Sequence, residues 1–215
     1  MKLYSYWRSS ASWRVRIGLA YKGVAYEYVP VNLVRDGGEQ HKPEYQARNP
    51  MEQVPALELD DGRLLSQSLA ILEYLEETIA KPPLLPRDSY LRARCRQLAE
   101  LVNAGIQPLQ NTGPQQRLKA LGVDEVAWSR HFIAQGLTAL AATAEPTAGK
   151  FLVGDTVTLA DVCLVPQLYN ARRFGVDLTQ PSLALLGRVE AACAQLEAFQ
   201  VAQPDRQPDY VVQGK

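Results

Sequence analysis

The stretch "AKPPLLPRD", Ala80–Asp88, constrains the fold most. Three of its residues, Pro82, Pro83 and Pro86, are prolines. Proline fixes φ and donates no backbone hydrogen bond, so neither a helix nor a central strand runs through such a segment. A stiff connector is expected, and with it a domain boundary. The sequence changes character across this point. Residues 1–80 mix strand and helix signals, 81–88 form the linker, and 89–215 are Leu/Ala-rich without strand signals.

In the first part, "KLYSY" (Lys2–Tyr6) alternates and reads as a strand. "SWRVRIGLAYKG" reads as a helix whose spacing is blurred by Gly18 and which stops at Gly23. "AYEYVPVNL" is a second strand, with Pro30 pointing to a sheet edge or a bulge. "PALELDDGRLLSQS" holds two short strands around Asp61-Gly62, a hairpin signal. Ser68 is placed to cap the next helix, in which Leu69, Ile71, Leu72 and Leu75 face inward. The order is β-α-β, a variable segment, then β-β-α. Beyond the linker we expect helices near 88–110, 123–145, 158–173 and 183–198, an all-helical domain. Within it "VTLAD" is a capping box with Thr158 as cap and Asp161 at the third helical position, flanked by Val157 and Val162 in staple positions. That pattern makes Asp161 a structural carboxylate and not a catalytic one.

Charge and cysteine usage exclude several functions. The 23 basic and 23 acidic side chains balance, which argues against a nucleic-acid partner. No apolar run is long enough to span a membrane, and "MKLYSYWRSS" has no apolar signal core, so a cytoplasmic protein is expected. Cys95, Cys163 and Cys193 are widely spaced, with no C-x-x-C, so no metal site is expected and the thiols read as buried and reduced.

The candidate chemistry lies in "WRSSASWRVRI", Trp7–Ile17, at a strand-to-helix turn. The first N–H groups of a helix lack intrahelical acceptors, and with the helix dipole they favour an anion. Ser9, Ser10 and Ser12 are either plain caps or part of a site where a hydroxyl and these N–H groups hold a thiolate. The chain has no cysteine here, so such a thiolate would come from a ligand. Two further stretches stand beside this one. Val54-Pro55 precedes a strand, and a cis bond there would turn the Val54 backbone outward, although the residues alone leave cis and trans open. Gln67 and Ser68 sit at a second helix start, where they are again either a cap or a cradle for a carboxylate.

Taken together, "SSASWRVRIGLAYKG", "NPMEQVPALE", "QSLAILEYLEET", "GIQPLQN", "TLADVCLVPQ" and "LEAFQVAQPDRQPD" resemble the zeta class of the glutathione S-transferases, the class that includes maleylacetoacetate isomerase. The resemblance runs along essentially the whole chain. It implies a thioredoxin-like N-terminal domain that binds glutathione and an all-α C-terminal domain that contributes to the substrate site. It also implies roles for individual residues. Ser9 faces the glutathione sulfur, supported by Ser10. Val54, before a cis Pro55, pairs with the cysteinyl backbone of glutathione. Gln67 and Ser68 hold the γ-glutamyl carboxylate, and Gln40 lies near the glycine end. Gln107 and Asn111 reach the active site from the helical domain. A homodimer is implied as well. The class usually carries cysteine where this chain has Ala11, so any chemistry here runs on the serines and glutathione. Gln107 stands where some maleylpyruvate isomerases carry histidine, which leans the chain toward maleylacetoacetate.

The implied reaction is a glutathione-dependent cis–trans isomerisation of maleylacetoacetate or maleylpyruvate to the fumaryl isomer. Addition of a thiolate turns a conjugated double bond into a single bond, which rotates before the thiolate leaves. The substrate is a small dicarboxylic or diketo acid, so arginines suit its ends. Arg8 and Arg173 are the candidates, with Arg172 behind them; Arg14 and Arg16, on the first helix, read as structural. Two alternatives stand beside the isomerase: a general transferase acting on haloacids or other electrophiles, and a non-catalytic binding or regulatory protein.

Overall fold

The computed structural model describes residues 1–211. It divides into two units, Met1–Pro83 joined by the segment that begins at Leu196, and Leu84–Gln195. In the first unit β1 (Lys2–Ser5), α1 (Ser10–Tyr21) and β2 (Glu27–Pro30) form the expected β-α-β. Two 3-10 turns, Arg35–Gly37 and Glu39–His41, and the short α2 (Pro43–Gln46) lead to β3 (Ala56–Glu58), β4 (Leu64–Ser66) and α3 (Ser68–Thr78). The sheet order is β2-β1-β3-β4. β1 is parallel to β2 and antiparallel to β3, and β3 is antiparallel to β4. This is the thioredoxin-like arrangement expected. Pro30 closes the edge strand, where its missing N–H leaves no ladder bond unmade. The β3–β4 turn is closed by the Gly62 N–H on Leu59 O at 3.0 Å, with Gly62 at φ 82°.

Every residue from Ser10 to Leu19 is buried, which explains why α1 shows no clean apolar stripe. The helix packs on the sheet, on α3, and on α9 (Glu197–Val201) from the end of the chain. Gly18 leaves room for a side chain of α3, since a Cβ there would lie 2.2 Å from Leu72 Cδ2. The core of this unit is Leu3, Val15, Leu19, Leu57, Leu59, Ile71 and Leu75. Leu72 is buried too, whereas Leu69 is only half-buried. Arg14 and Arg16 are wholly enclosed. Burial brings the Arg16 guanidinium down to about 10.

The second unit is helical. α4 (Ser89–Glu100) is capped by Asp88, which accepts the Leu91 N–H at 2.9 Å. It runs on through a π turn, Leu101–Ile106, into a 3-10 turn, Gln107–Gln110. Then come α5 (Thr112–Ala120), α6 (Glu125–Ala144), α7 (Leu159–Arg173) and α8 (Ala184–Cys193). α5 was not legible in the sequence: it buries no residue, so no apolar stripe marks it. The helix expected over 183–198 ends at Cys193, and the chain from Leu196 packs with the first unit instead of the helical one. The capping box at α7 is present. Asp161 accepts from the Thr158 N–H and hydroxyl at 2.8 Å each and from the Leu152 N–H at 2.9 Å. All three cysteines are buried and free of disulfides. Among the described residues, no helix is long and apolar enough to cross a membrane.

Candidate active site

The strand register brings three of the candidate stretches to one end of the sheet. Tyr4 of β1 pairs with Ala56 of β3, and Ala56 pairs with Ser66 of β4. From that level β1 runs out into Tyr6–Ser9, β3 is entered through Val54-Pro55, and β4 runs out into Gln67-Ser68. Because β3 opposes both neighbours, all three lie beyond the same end of the strands. Tyr6, Trp7 and Val54 also share one buried cluster.

Ser9 is the cap of α1, with φ −66° and ψ 117°. Its Oγ accepts the Ser12 N–H at 3.2 Å. Its own N–H donates to Tyr6 O at 3.0 Å, so the turn is closed upon itself. An accepting hydroxyl still has its hydrogen to donate, so the capping and thiolate-holding readings of Ser9 are compatible. Ser10, the first residue of the helix, is buried, and Ser9 is half-buried. Arg8 lies with its guanidinium carbon 5.4 Å from the Trp7 ring centre.

The Val54-Pro55 bond is cis, and so is Lys81-Pro82. Val54 precedes β3 and lies outside its ladder. Gln67, and not Ser68, is the cap position of α3, which corrects the sequence expectation. Gln67 sits at φ 70° and ψ 116° with no side-chain cap bond, in a region that costs a non-glycine residue conformational energy. Its side chain is exposed. Ser68 begins the helix, buried, and its Oγ accepts from Arg14 Nη1 at 3.2 Å. Arg14, which the sequence presents as a structural residue of α1, is thus bonded to a candidate site residue.

Gln40 is buried, its amide nitrogen 3.4 Å from Leu33 O and 3.0 Å from His41 Nε2. His41 Nδ1 in turn meets Glu52, whose other oxygen accepts from Gln46 at 2.8 Å. This chain turns Gln40 Oε1 away from these partners, and among the described residues that buried oxygen has no hydrogen-bond partner.

In the second unit Gln107 Nε2 donates to Asn111 Oδ1 at 3.1 Å. Next to them the buried amides of Gln110 and Gln167 exchange two bonds, 3.0 and 3.2 Å, and fasten the 3-10 turn to α7. A π turn directly before this segment shifts the helical register, a feature common at functional sites. Arg173 is exposed near the end of α7 and donates to Asn170 Oδ1 at 3.0 Å. Arg172 is held by Glu190, with one bond of 2.7 Å, as a surface ion pair.

Residues 1–77 match the family model for the glutathione S-transferase N-terminal domain. Maleylacetoacetate isomerase from Rattus norvegicus is 52% identical over 208 residues, covering 96% of this chain and 94% of the rat protein. The crystal structure of maleylacetoacetate isomerase from Anaeromyxobacter dehalogenans, with glutathione bound in its active site, superposes with a TM-score of 0.89 at 55% identity, covering 98% of this chain and 97% of that one. A bacterial maleylpyruvate isomerase, a zeta-class glutathione S-transferase in its holo form, superposes with a TM-score of 0.92 at 44% identity, covering 98% of this chain and 100% of that one.

Proposed function

The chain belongs to the zeta-class glutathione S-transferase and maleylacetoacetate isomerase family, and from that premise we propose that it is a glutathione-dependent isomerase converting maleylacetoacetate or maleylpyruvate to the fumaryl isomer. The observation that carries the proposal is the convergence of the Ser9 cap, Val54-Pro55 and Gln67-Ser68 at one end of the sheet. Glutathione, when bound, supplies a thiolate that adds reversibly to the cis double bond of the substrate and is recovered unchanged.

The residues present fit that cofactor. Gln40 Oε1 is a buried acceptor without a partner among the described residues, suited to a peptide N–H of the ligand. The first-turn N–H groups of α1 and the Ser9 hydroxyl hydrogen favour a negative sulfur. Val54 offers backbone groups outside the ladder. Gln67 and Ser68 stand at a helix start, with the Arg14 guanidinium bonded to Ser68, and suit a carboxylate. Gln107 and Asn111, bonded to each other in the second unit, offer amide groups suited to a polar ligand. Arg8, beside the Ser9 turn, is assigned to a carboxylate of the substrate, because a guanidinium forks onto a carboxylate.

The thiol comes from outside the protein. All three cysteines are buried in the second unit. Burial pushes the Cys95 thiol up to about 11 and raises that of Cys193 as well. Neither is a thiolate near neutral pH, and the turn itself carries Ala11.

We place the protein in the cytoplasm, which suits free cysteines, and infer a homodimer, for which the exposed Met51 side chain, 63% accessible, offers an apolar contact. Sedimentation at micromolar concentration is expected to give about twice the chain mass of 23.8 kDa. The catalytic test is ultraviolet monitoring of maleylacetoacetate and maleylpyruvate with and without glutathione. Turnover that needs glutathione supports the assignment. Absence of turnover on both, or turnover indifferent to glutathione, refutes it.

A further inference from the structure

The turn that carries Ser9 is fastened from two sides, by Arg16 of α1 and by the segment after Leu196. The Arg16 guanidinium donates to Ser5 Oγ at 3.2 Å, Tyr6 O at 3.3 Å and Trp7 O at 3.0 Å. Its Nε donates to Ala202 O at 3.1 Å, in the segment after Leu196. From that same segment Asp209 reaches the turn. One of its oxygens accepts the Trp7 N–H at 3.0 Å, and the other accepts the Tyr28 hydroxyl at 2.6 Å. Tyr210 sets its ring edge-on to Trp7, with centres 5.0 Å apart. The segment is itself braced by Gln207, whose amide donates to Val201 O and Gln203 O at 3.0 and 2.7 Å.

These bonds land on the backbone just before Ser9. Tyr6 O accepts from both Arg16 and the Ser9 N–H, so one carbonyl joins the clamp to the cap. Trp7 is held at its O by Arg16 and at its N–H by Asp209. Small rotations of the Tyr6–Trp7 peptide units would swing the Ser9 hydroxyl and the first-turn N–H groups, and the strength of such hydrogen bonds depends steeply on direction.

We propose that Asp209 is a positioning residue for the isomerisation: with Arg16 it straps the C-terminal segment onto the Tyr6–Ser9 turn and so sets the aim of the groups that stabilise the glutathione thiolate. The inference rests on Ser9 as the partner of that thiol. Asp209 acts through the Trp7 peptide; it is not a catalytic residue.

The test is a pH titration of thiolate absorbance in the complex of the full chain with glutathione, without organic substrate. It therefore reads the strap independently of whether the isomerase assignment holds. Asp209→Ala leaves the Trp7 N–H without its acceptor. The titration midpoint is expected to rise by roughly 0.5–1 pH unit, and kcat near neutral pH to fall about three- to tenfold, since one unit is a tenfold change in thiolate fraction. Asp209→Asn keeps an oxygen for the Trp7 N–H and is expected to restore most of the parental profile. Tyr28→Phe removes the other bond of Asp209 and serves as the stability control: it lowers the melting temperature while leaving the midpoint near the parental value. Should Asp209→Ala fail to fold, Asp209→Glu keeps the charge, displaces the carboxylate by one methylene and gives a smaller upward shift. A parental midpoint in Asp209→Ala, or in Asp209→Glu where the alanine variant does not fold, overturns the proposal. So does an Asp209→Asn variant as impaired as the alanine one, or a parent protein that does not lower the thiol pKa.

Discussion

Replacing Ser9 separates its two duties. As the cap of α1 its Oγ accepts the Ser12 N–H at 3.2 Å. As the proposed partner of the thiolate it donates its hydroxyl hydrogen. Loss of a serine cap to alanine costs about 0.5–2 kcal/mol of stability, whereas glycine at the same position costs only a few tenths. A hydrogen bond to a charged group contributes about 1.5–3 kcal/mol, which corresponds to a rate loss of about ten- to a hundredfold. Ser9→Ala is therefore expected to lose both stability and rate, and Ser9→Gly to lose the rate alone. Denaturant melts give the first quantity, and rates measured against pH give the second. In both variants the pH at which the rate reaches half its plateau should rise, because the thiol ionises later. Ala11→Cys, by contrast, should change little. The thiolate-holding role of Ser9 is refuted if the two variants retain the parental rate and pH profile. It is equally refuted if their rate losses merely follow their stability losses. If Ser10→Ala loses the rate instead, the buried neighbour is the thiol's partner.

Ser68→Ala should weaken glutathione binding about tenfold or more, since it removes a cradle hydroxyl and strips the buried Arg14 guanidinium of that partner; an unchanged dissociation constant by calorimetry counts against the assignment. Burial pushes the Asp161 carboxyl up to about 6, because desolvation outweighs its three donors. The folded state then binds more protons than the unfolded one between pH about 4 and 6, so stability from this group falls as pH rises through that window. Relative to Asp161→Asn, the parent should lose about 2 kcal/mol from pH about 4 to 7; a pH-independent difference contradicts this. Gly18→Ala puts a methyl group 2.2 Å from Leu72 Cδ2 and should cost about 1–3 kcal/mol in denaturant unfolding, and an unaltered midpoint would mean that Leu72 moves aside freely.

Features whose cause lies within a few residues were legible in the chain. The Thr158–Asp161 capping box, the Asp61-Gly62 turn and the edge position of Pro30 each rest on a local rule of backbone chemistry. The candidate site was legible in the same way, as stretches of Ser, Val-Pro and Gln-Ser beside strand and helix ends. What escaped was set by partners distant in sequence. α1 looked irregular because its second face is covered by α3 and by a helix some 180 residues later, and the enclosed Arg16 bonds to Ala202 across that gap. The chain from Leu196 carries helix signals like those before it, yet packs with the first unit. No local signal marks Asp209 as the acceptor for Trp7, or Gln110 as the partner of Gln167.

Local chemistry set the β-α-β and β-β-α succession of the first unit, the break at the prolines and the main helices of the second, though not α5 or the end of α8. Propensity, capping and turn chemistry act over three or four residues and need no knowledge of neighbours. Only the folded chain sets Tyr4, Ala56 and Ser66 level, so that their flanking stretches leave the sheet at one end. It also decided that the Val54-Pro55 bond is cis, that Gln67 takes a positive φ, and that a carboxylate from the chain's end holds the Trp7 peptide. These are outcomes of strand register and of burial by remote segments, whose free energies belong to pairs of residues and not to any stretch read alone.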